Sequence, residues 1–361
     1  MLLMATMLLA ACSTDDDNSA ADDSTDTLQL VAYCQQPADA APLMTRGLTT
    51  GNLGNYAMYK GPNAIGVFLT SGTTAPNRVS TFTWDETNGS WESRVNVKSQ
   101  SYMIYGFMPT AFASEPLFSY TISPVSSDYA NGATLTFTSL PSVASEDFCL
   151  LTGVQDLGGS KTTALDLKRG QFSYQGRVKG QNFVNLMFEH LYAGILFQMK
   201  VGTTYSTLRT IKLKELKLKT STSINTVRWT VQVTPNNTEA VPYVITPTAT
   251  FQTSDSEATL FKSDDGQELA TTAYDISGYV YPFQSDNDYI GNHLSIVCTY
   301  DVYDRKGNLI RQNCTAENKL PVTPDEQWKS GNRIVVPLTV EPTYLYVLSE
   351  PDLDNPTIII N

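Results

Sequence analysis

Short runs in which apolar and polar residues alternate, each closed by Gly, Pro, Asn or Asp, recur along the chain, as in residues 64–69, 134–138 and 227–233. Period two belongs to a strand with one buried face, because successive side chains point to opposite sides of a pleated backbone. Almost no run carries the 3.6-residue period of a long amphipathic helix. The residue types agree, with 19 Tyr and 14 Phe among frequent Thr, Ser and Val, a mixture that fits half-buried strands. With 361 residues, 41% of them hydrophobic, the chain has the length of about two domains, each with its own core. The expectation is an all-β protein built of two β-sandwich domains in tandem.

Several local features sharpen this reading. Residues 211–218 keep their alternation on both sides of a one-residue slip between Lys214 and Glu215, the mark of a strand with a β-bulge. A basic, Gly-rich stretch holding Lys168, Arg169, Gly170, Gly176, Arg177, Val178, Lys179 and Gly180 is the expected domain boundary, with the cut near residue 181. Residues 253–268, rich in Ser and Asp, read as a long exposed loop of the second domain. Residues 302–309 read as a hairpin whose Gly307 takes the left-handed position of a three-residue loop. If Asp304 faces Asn308 across that hairpin, Cys298 faces Cys314 and Asp301 faces Arg311. Two outcomes stand for the cysteine pair, a disulfide or two small buried thiols.

Charge and composition exclude much chemistry. Lys and Arg number 24 against 36 Asp and Glu, a net charge of −12 that has the wrong sign for a nucleic-acid partner. Half of it sits in residues 1–46, which hold seven acids and one base. Only two histidines occur, His190 and His293, which leaves little imidazole for metal or general-base work. The G-x-S-x-G, G-x-x-x-x-G-K-[ST], H-E-x-x-H and C-x-x-C patterns are absent, so hydrolase, nucleotide, metalloprotease and redox signatures are missing. The triplet Asp286, Asn287 and Asp288 offers oxygens suited to Ca²⁺, but polar loops between strands produce such triplets by chance. His190 reads as a core or edge imidazole satisfied by backbone groups, with no second His or Cys near enough to share a metal. No catalytic residue, metal ligand or cofactor is assigned, and the chain is not expected to be an enzyme.

At the amino terminus a short apolar run ends in Leu9, Ala10, Ala11 and Cys12. It is too short to span a membrane as a helix of ~20 residues and resembles a bacterial lipoprotein signal, residues 1–11, cut after Ala11. That resemblance makes the thiol of Cys12 the lipid-bearing group and the membrane attachment of the exported chain. No Lys or Arg precedes the run, a departure from the usual pattern. Asp15, Asp16 and Asp17 follow within a Ser/Asp/Ala/Thr tract too polar to form a core. This tract fits a plain solvated tether, and it also resembles the surface-export signal of Bacteroidetes lipoproteins.

The run of residues 184–197, with Phe188, Glu189 and His190 at its centre, resembles the Phe-x-His strand of the fimbrillin-like lipoproteins of the Bacteroidetes, the major and minor pilins and their relatives. Residues 64–68 and 101–109 are similar to first-domain strands of that family. The resemblance implies transthyretin-like sandwiches, no catalysis, an outer-membrane and cell-surface location, and assembly with other pilin subunits into a fimbria. It divides the chain into a signal peptide (1–11), an acidic tether with a removable leader strand (12–46), an N-terminal sandwich (47–181) and a C-terminal sandwich with a terminal donor segment (182–361). It further implies that a trypsin-like surface protease cuts between Arg46 and Gly47, and that a neighbour's strand fills the groove left by the lost leader. Arg46 is the one basic residue among the first 59, and it fits an ordinary loop position as well as a cleavage site. At the other end, Thr357, Ile358, Ile359 and Ile360 form a β-branched run that fits either a donor strand or a last edge strand of its own domain. Were the chain a tip subunit, a host glycan or protein would be its further partner. The rival reading is a surface glycan-binding lipoprotein that displays aromatic side chains to sugars.

Overall fold

The computed structural model describes residues 25–35, 38–39, 56–59, 63–72, 80–87, 89–156, 169–177, 182–233, 243–282, 284–285, 288–289, 294–320 and 330–340. The chain runs through β1 (Thr25–Gln35), β2 (Ala38–Asp39), β3 (Tyr56–Met58), β4 (Ile65–Thr70), β5 (Ser80–Asp85), β6 (Ser90–Lys98) and β7 (Ser101–Met108). It continues through β8 (Ser119–Pro124), β9 (Gly132–Thr138), β10 (Val143–Ala144), β11 (Cys149–Asp156), β12 (Ser173–Gln175), β13 (Asn182–His190) and β14 (Ala193–Val201). After a single helical turn, α1 (Thr203–Ser206), come β15 (Thr210–Val233), β16 (Tyr243–Glu268), β17 (Tyr274–Val280), β18 (Gln284–Ser285) and β19 (Asp288–Tyr289). The last strands are β20 (Leu294–Tyr303), β21 (Leu309–Lys319) and β22 (Asn332–Val340). The protein is all-β, as its alternation requires. Among the described residues no helix is long and apolar enough to cross a membrane.

The first sheet closes on itself. Its order is β11-β13-β1-β6-β5-β4-β7, and β7 returns to β11 through Cys149 opposite Met108 and Leu150 opposite Phe107. A closed ring of seven strands has no open edge. Its interior is a core of Leu28, Leu30, Ile65, Val67, Phe82, Trp91, Ile104, Val184 and Leu186, among others. Close approach of β4 and β7 is set by Gly106, whose missing Cβ would lie 2.6 Å from the Gly66 carbonyl oxygen.

Two further sheets face each other across a second core. One runs β10-β17-β14-β22-β2 and the other β21-β20-β15-β9-β8, with β16 along the remaining side of β15. Phe197 and Ile276 from the first meet Leu213, Leu218, Val231 and Tyr300 from the second. The barrel's outer face completes this core, because Phe68, Tyr105, Phe107 and Leu150 belong to it while their sequence neighbours point into the barrel. Strands β4 and β7 are thus apolar on both faces, and four phenylalanines, Phe107, Phe118, Phe137 and Phe148, meet there with ring centroids 5.1 to 6.2 Å apart.

The architecture is therefore a closed barrel packed on a two-sheet sandwich, and not the expected pair of sandwiches set end to end. The expected cut near residue 181 is crossed in both directions, since β13 lies inside the first sheet while β8, β9 and β10 belong to the other two. Acids on the barrel strands explain why the basic stretch is no linker: Arg169 pairs with Glu189 of β13 at 2.9 Å, and Arg177 forks onto Asp156 of β11 at 2.8 and 2.9 Å. Residues 253–268 are strand, not loop. They pair with β15 through backbone bonds, so exposed Ser and Asp side chains cost nothing there, and Lys217 to Glu257 at 3.1 Å adds a cross-strand ion pair. The bulge expected at Lys214 is present in the pairing of β15 with both β16 and β20.

Candidate functional site

Strand β1 is the part of the fold in which function and sequence position meet. Its neighbours come from far along the chain: β13 lies parallel to it from Leu28 opposite Asn182 to Cys34 opposite Phe188, and β6 runs antiparallel on its other side. Period two sends Leu28, Leu30, Ala32 and Cys34 into the barrel, where all four are buried. Just beyond, β2 pairs parallel with β22 in the second sheet through Ala38 and Asp39. Residues upstream of Arg46 therefore form a wall of the barrel and also touch an edge of the sandwich. Taking β1 away leaves the facing edges of β13 and β6 without backbone partners.

Cys12, Arg46, Gly47, Thr357, Ile358, Ile359 and Ile360 lie outside the described residues, as do His293, Asp286 and Asn287. The hairpin tip is as expected, with Gly307 at φ 83° and the Asp304 N–H donating to the Asn308 carbonyl at 2.9 Å. The register beyond it is not. Tyr303 faces Leu309, but Val302 faces Arg311, Tyr300 faces Cys314 and Cys298 faces Ala316. Two extra residues in β21 produce the slip. The buried carboxylate of Asp301 accepts the Asn313 N–H at 2.8 Å, and Asn313 takes a left-handed φ of 54° to deliver it. Cys298 and Cys314 are accordingly not opposite each other, Asp301 does not face Arg311, and both thiols are free. Burial pushes the Cys298 thiol up to about 12.

A cluster that no spacing in the sequence announces sits at the end of β1. Cys34 of β1, Cys149 of β11 and His190 of β13 converge there, with Cys149 and His190 directly opposite in the antiparallel pairing. The Cys34 and Cys149 Sγ atoms are 3.7 Å apart, and Cys149 Sγ is 3.7 Å from His190 Nδ1. The Cys149 thiol donates to Asp147 Oδ2 at 3.4 Å, and His190 Nδ1 hydrogen-bonds the same oxygen. Burial, then the Cys34 thiol and the Asp147 carboxylate, hold the Cys149 thiol well above its ordinary range. His190 therefore departs from the expected backbone-satisfied imidazole, because the barrel brings two thiols and a carboxylate to it. The one signal present was the Phe-x-His pattern itself, which sets His190 on the same inward face as Phe188. A cleft of about 410 Å³ opens over the cluster, with Tyr59, Glu146, Tyr279 and Arg333 on its walls.

No family model matches the chain, and no curated protein matches it. Among solved structures it is similar to a proposed cell adhesion protein of Bacteroides fragilis, at 11% identity over 88% of this chain and 94% of that one, with a TM-score of 0.43. It is also similar to a proposed cell adhesion protein of Bacteroides uniformis, at 13% identity over 87% and 93%, TM-score 0.38. A fimbrial protein of Bacteroides vulgatus is similar at 16% identity over 87% and 95%, TM-score 0.34.

Proposed function

We propose that the chain is a structural or tip subunit of a cell-surface fimbria, exported as a lipoprotein through Cys12 and assembled by protease-triggered strand exchange. The observation that carries this reading is the place of β1: an amino-terminal strand, separated in sequence from the rest of the fold by a segment holding Arg46, supplies a full wall of a closed barrel. Cutting between Arg46 and Gly47 by a trypsin-like surface protease breaks its one covalent tie to the barrel. Release of β1 then uncovers an apolar groove between β13 and β6, and backbone pairing with a strand from another copy refills it. In the run Thr357, Ile358, Ile359 and Ile360, period two places Ile358 and Ile360 on one face. They match two successive inward positions among Leu28, Leu30 and Ala32. The chain performs no catalysis in this role, and its partners are other subunits, the protease and, at a tip, a host glycan or protein. The outer membrane is its site of attachment until the leader is lost.

The test is a non-boiled gel of surface extracts, on which covalent-like polymers run as a ladder. Arg46→Ala is expected to leave full-length monomers, and deletion of residues 357–361 to leave cleaved monomers. A ladder that survives Arg46→Ala refutes strand exchange in this chain. Absence of a ladder from the unaltered protein favours the glycan-binding reading.

A further inference from the structure

Two thiols 3.7 Å apart in the mouth of a barrel can be joined by oxidation or can share a cation, and the topology separates the two. A disulfide requires Cα atoms ~4.4 to 6.8 Å apart. Strands β1 and β11 both flank β13, so their backbones are two strand spacings of ~4.8 Å apart, on the order of 9 Å in a curved sheet. Closing an S–S bond would require β1 or β11 to leave its hydrogen-bonded place beside β13. A cation needs no such movement. Tetrahedral zinc with Zn–S bonds of ~2.3 Å holds two thiolates ~3.8 Å apart, and with Zn–N of ~2.0 Å it holds an imidazole nitrogen ~3.5 Å from each sulfur. The observed separations are 3.7 Å from sulfur to sulfur and 3.7 Å from Cys149 Sγ to His190 Nδ1. All three donor atoms lie within 4.8 Å of one another.

We infer that Cys34, Cys149 and His190, the last through Nδ1, bind a borderline-soft divalent cation of the zinc class, with the Asp147 carboxylate as the fourth ligand. Asp147 is already in contact with two of the three, and its other oxygen, Oδ1, is buried without a hydrogen-bond partner. That is a buried acceptor with nothing yet to satisfy it, on a carboxylate whose Oδ2 already touches the cluster. The donor set of two thiolates, an imidazole and a carboxylate selects zinc, cobalt or cadmium over magnesium or calcium. On binding, both thiols release their protons to solvent and His190 ligates as the neutral Nε2–H tautomer. Three ligand anions against a divalent cation leave one negative charge, and Arg333 stands on the wall of the cleft through which the ion enters. The site does not depend on the fimbrial reading, but it acts on the same strand. Cys34 is the last described inward residue of β1, so the ion ties that strand to β11 and β13 at one point.

The experiment is a titration of the reduced, metal-free full-length chain with Co²⁺, read by the absorption of tetrahedral cobalt and its thiolate charge-transfer band, followed by displacement with Zn²⁺. One tightly bound ion per chain is expected. Cys34→Ser, Cys149→Ser and His190→Ala should each weaken binding by tenfold or more, whereas Cys298→Ser with Cys314→Ser should leave it unchanged. Because Cys149 is 1% exposed and its replacement can disturb folding, a second measurement uses the unaltered chain: Zn²⁺ should protect Cys34 and Cys149, and not Cys314, from alkylation. Failure to bind Co²⁺, equal binding by the cluster variants, or recovery of Cys34 linked to Cys149 in a non-reducing peptide map would each overturn the assignment.

Discussion

Replacing Leu30 by Ala tests whether β1 is a structural wall or a loosely held appendage. Leu30 is 0% exposed and lies between Val184 of β13 and Trp91 of β6, both of them buried. Removing three carbons at ~0.8 kcal/mol each loses about 2.4 kcal/mol of transfer free energy. The void adds to this unless neighbours close on it. Trp91 cannot move freely, being stacked on Tyr59 at 5.6 Å and set edge-on to Trp84 at 5.5 Å. A total loss of about 3 to 5 kcal/mol follows. The assay is urea unfolding followed by tryptophan fluorescence, in which the midpoint should fall while the slope stays constant. Leu309→Ala, at a position 48% exposed, serves as the control and should change stability by less than about 0.5 kcal/mol. A loss below about 1 kcal/mol for Leu30→Ala would refute the claim that the barrel core depends on β1.

Gly106→Ala should cost about 1 to 3 kcal/mol in the same assay, because its new methyl group meets the rigid Gly66 carbonyl at 2.6 Å and must push β4 from β7. Brief alkylation of the native protein should modify Cys314 well before Cys298, whose thiol is buried and held up to about 12; reversal of that order would contradict the burial of Cys298. The Asp304 carboxylate accepts bonds first from the Asn308 side chain and then from the Asn308 and Lys306 N–H groups, which lowers it from its ordinary 3.8. A depressed carboxylate stabilises the hairpin above its unfolded value and loses that contribution as pH falls through the folded one. An NMR titration should therefore find its midpoint below 3.8, and Asn308→Ala should move the midpoint back up.

What the sequence shows of this fold is what depends on neighbouring residues. Alternation locates β4, β9 and the later part of β15, and a single break in it locates the bulge at Lys214, because burial of one strand face is written locally. Partner choice is not. Nothing within residues 28–34 indicates that they lie parallel to residues 182–188, and only that pairing brings Cys34 toward His190. The misread register of β21 has a similar origin: the buried Asp301 needs a donor, and the bulge opposite it supplies the Asn313 N–H, while a second bulge nearer the turn adds a further one-residue shift. Strand β16 escaped notice because its second half pairs along β15 while leaving much of its Ser and Asp in water, so composition suggested a loop where the backbone had a partner.

The long strand β15 bears on how the molecule carries load. Along one side it holds β20 over residues 210–220 and then β9 over residues 226–232, while β16 runs the length of the other side. Its 24 residues reach roughly 75 Å at ~3.3 Å each, and they splice segments that lie some 160 positions apart in the chain. Antiparallel cross-strand bonds stand perpendicular to the strand axis. A pull along that axis therefore shears many of them at once instead of peeling them singly. In mechanical terms, β15 is a tension rod built into the fold.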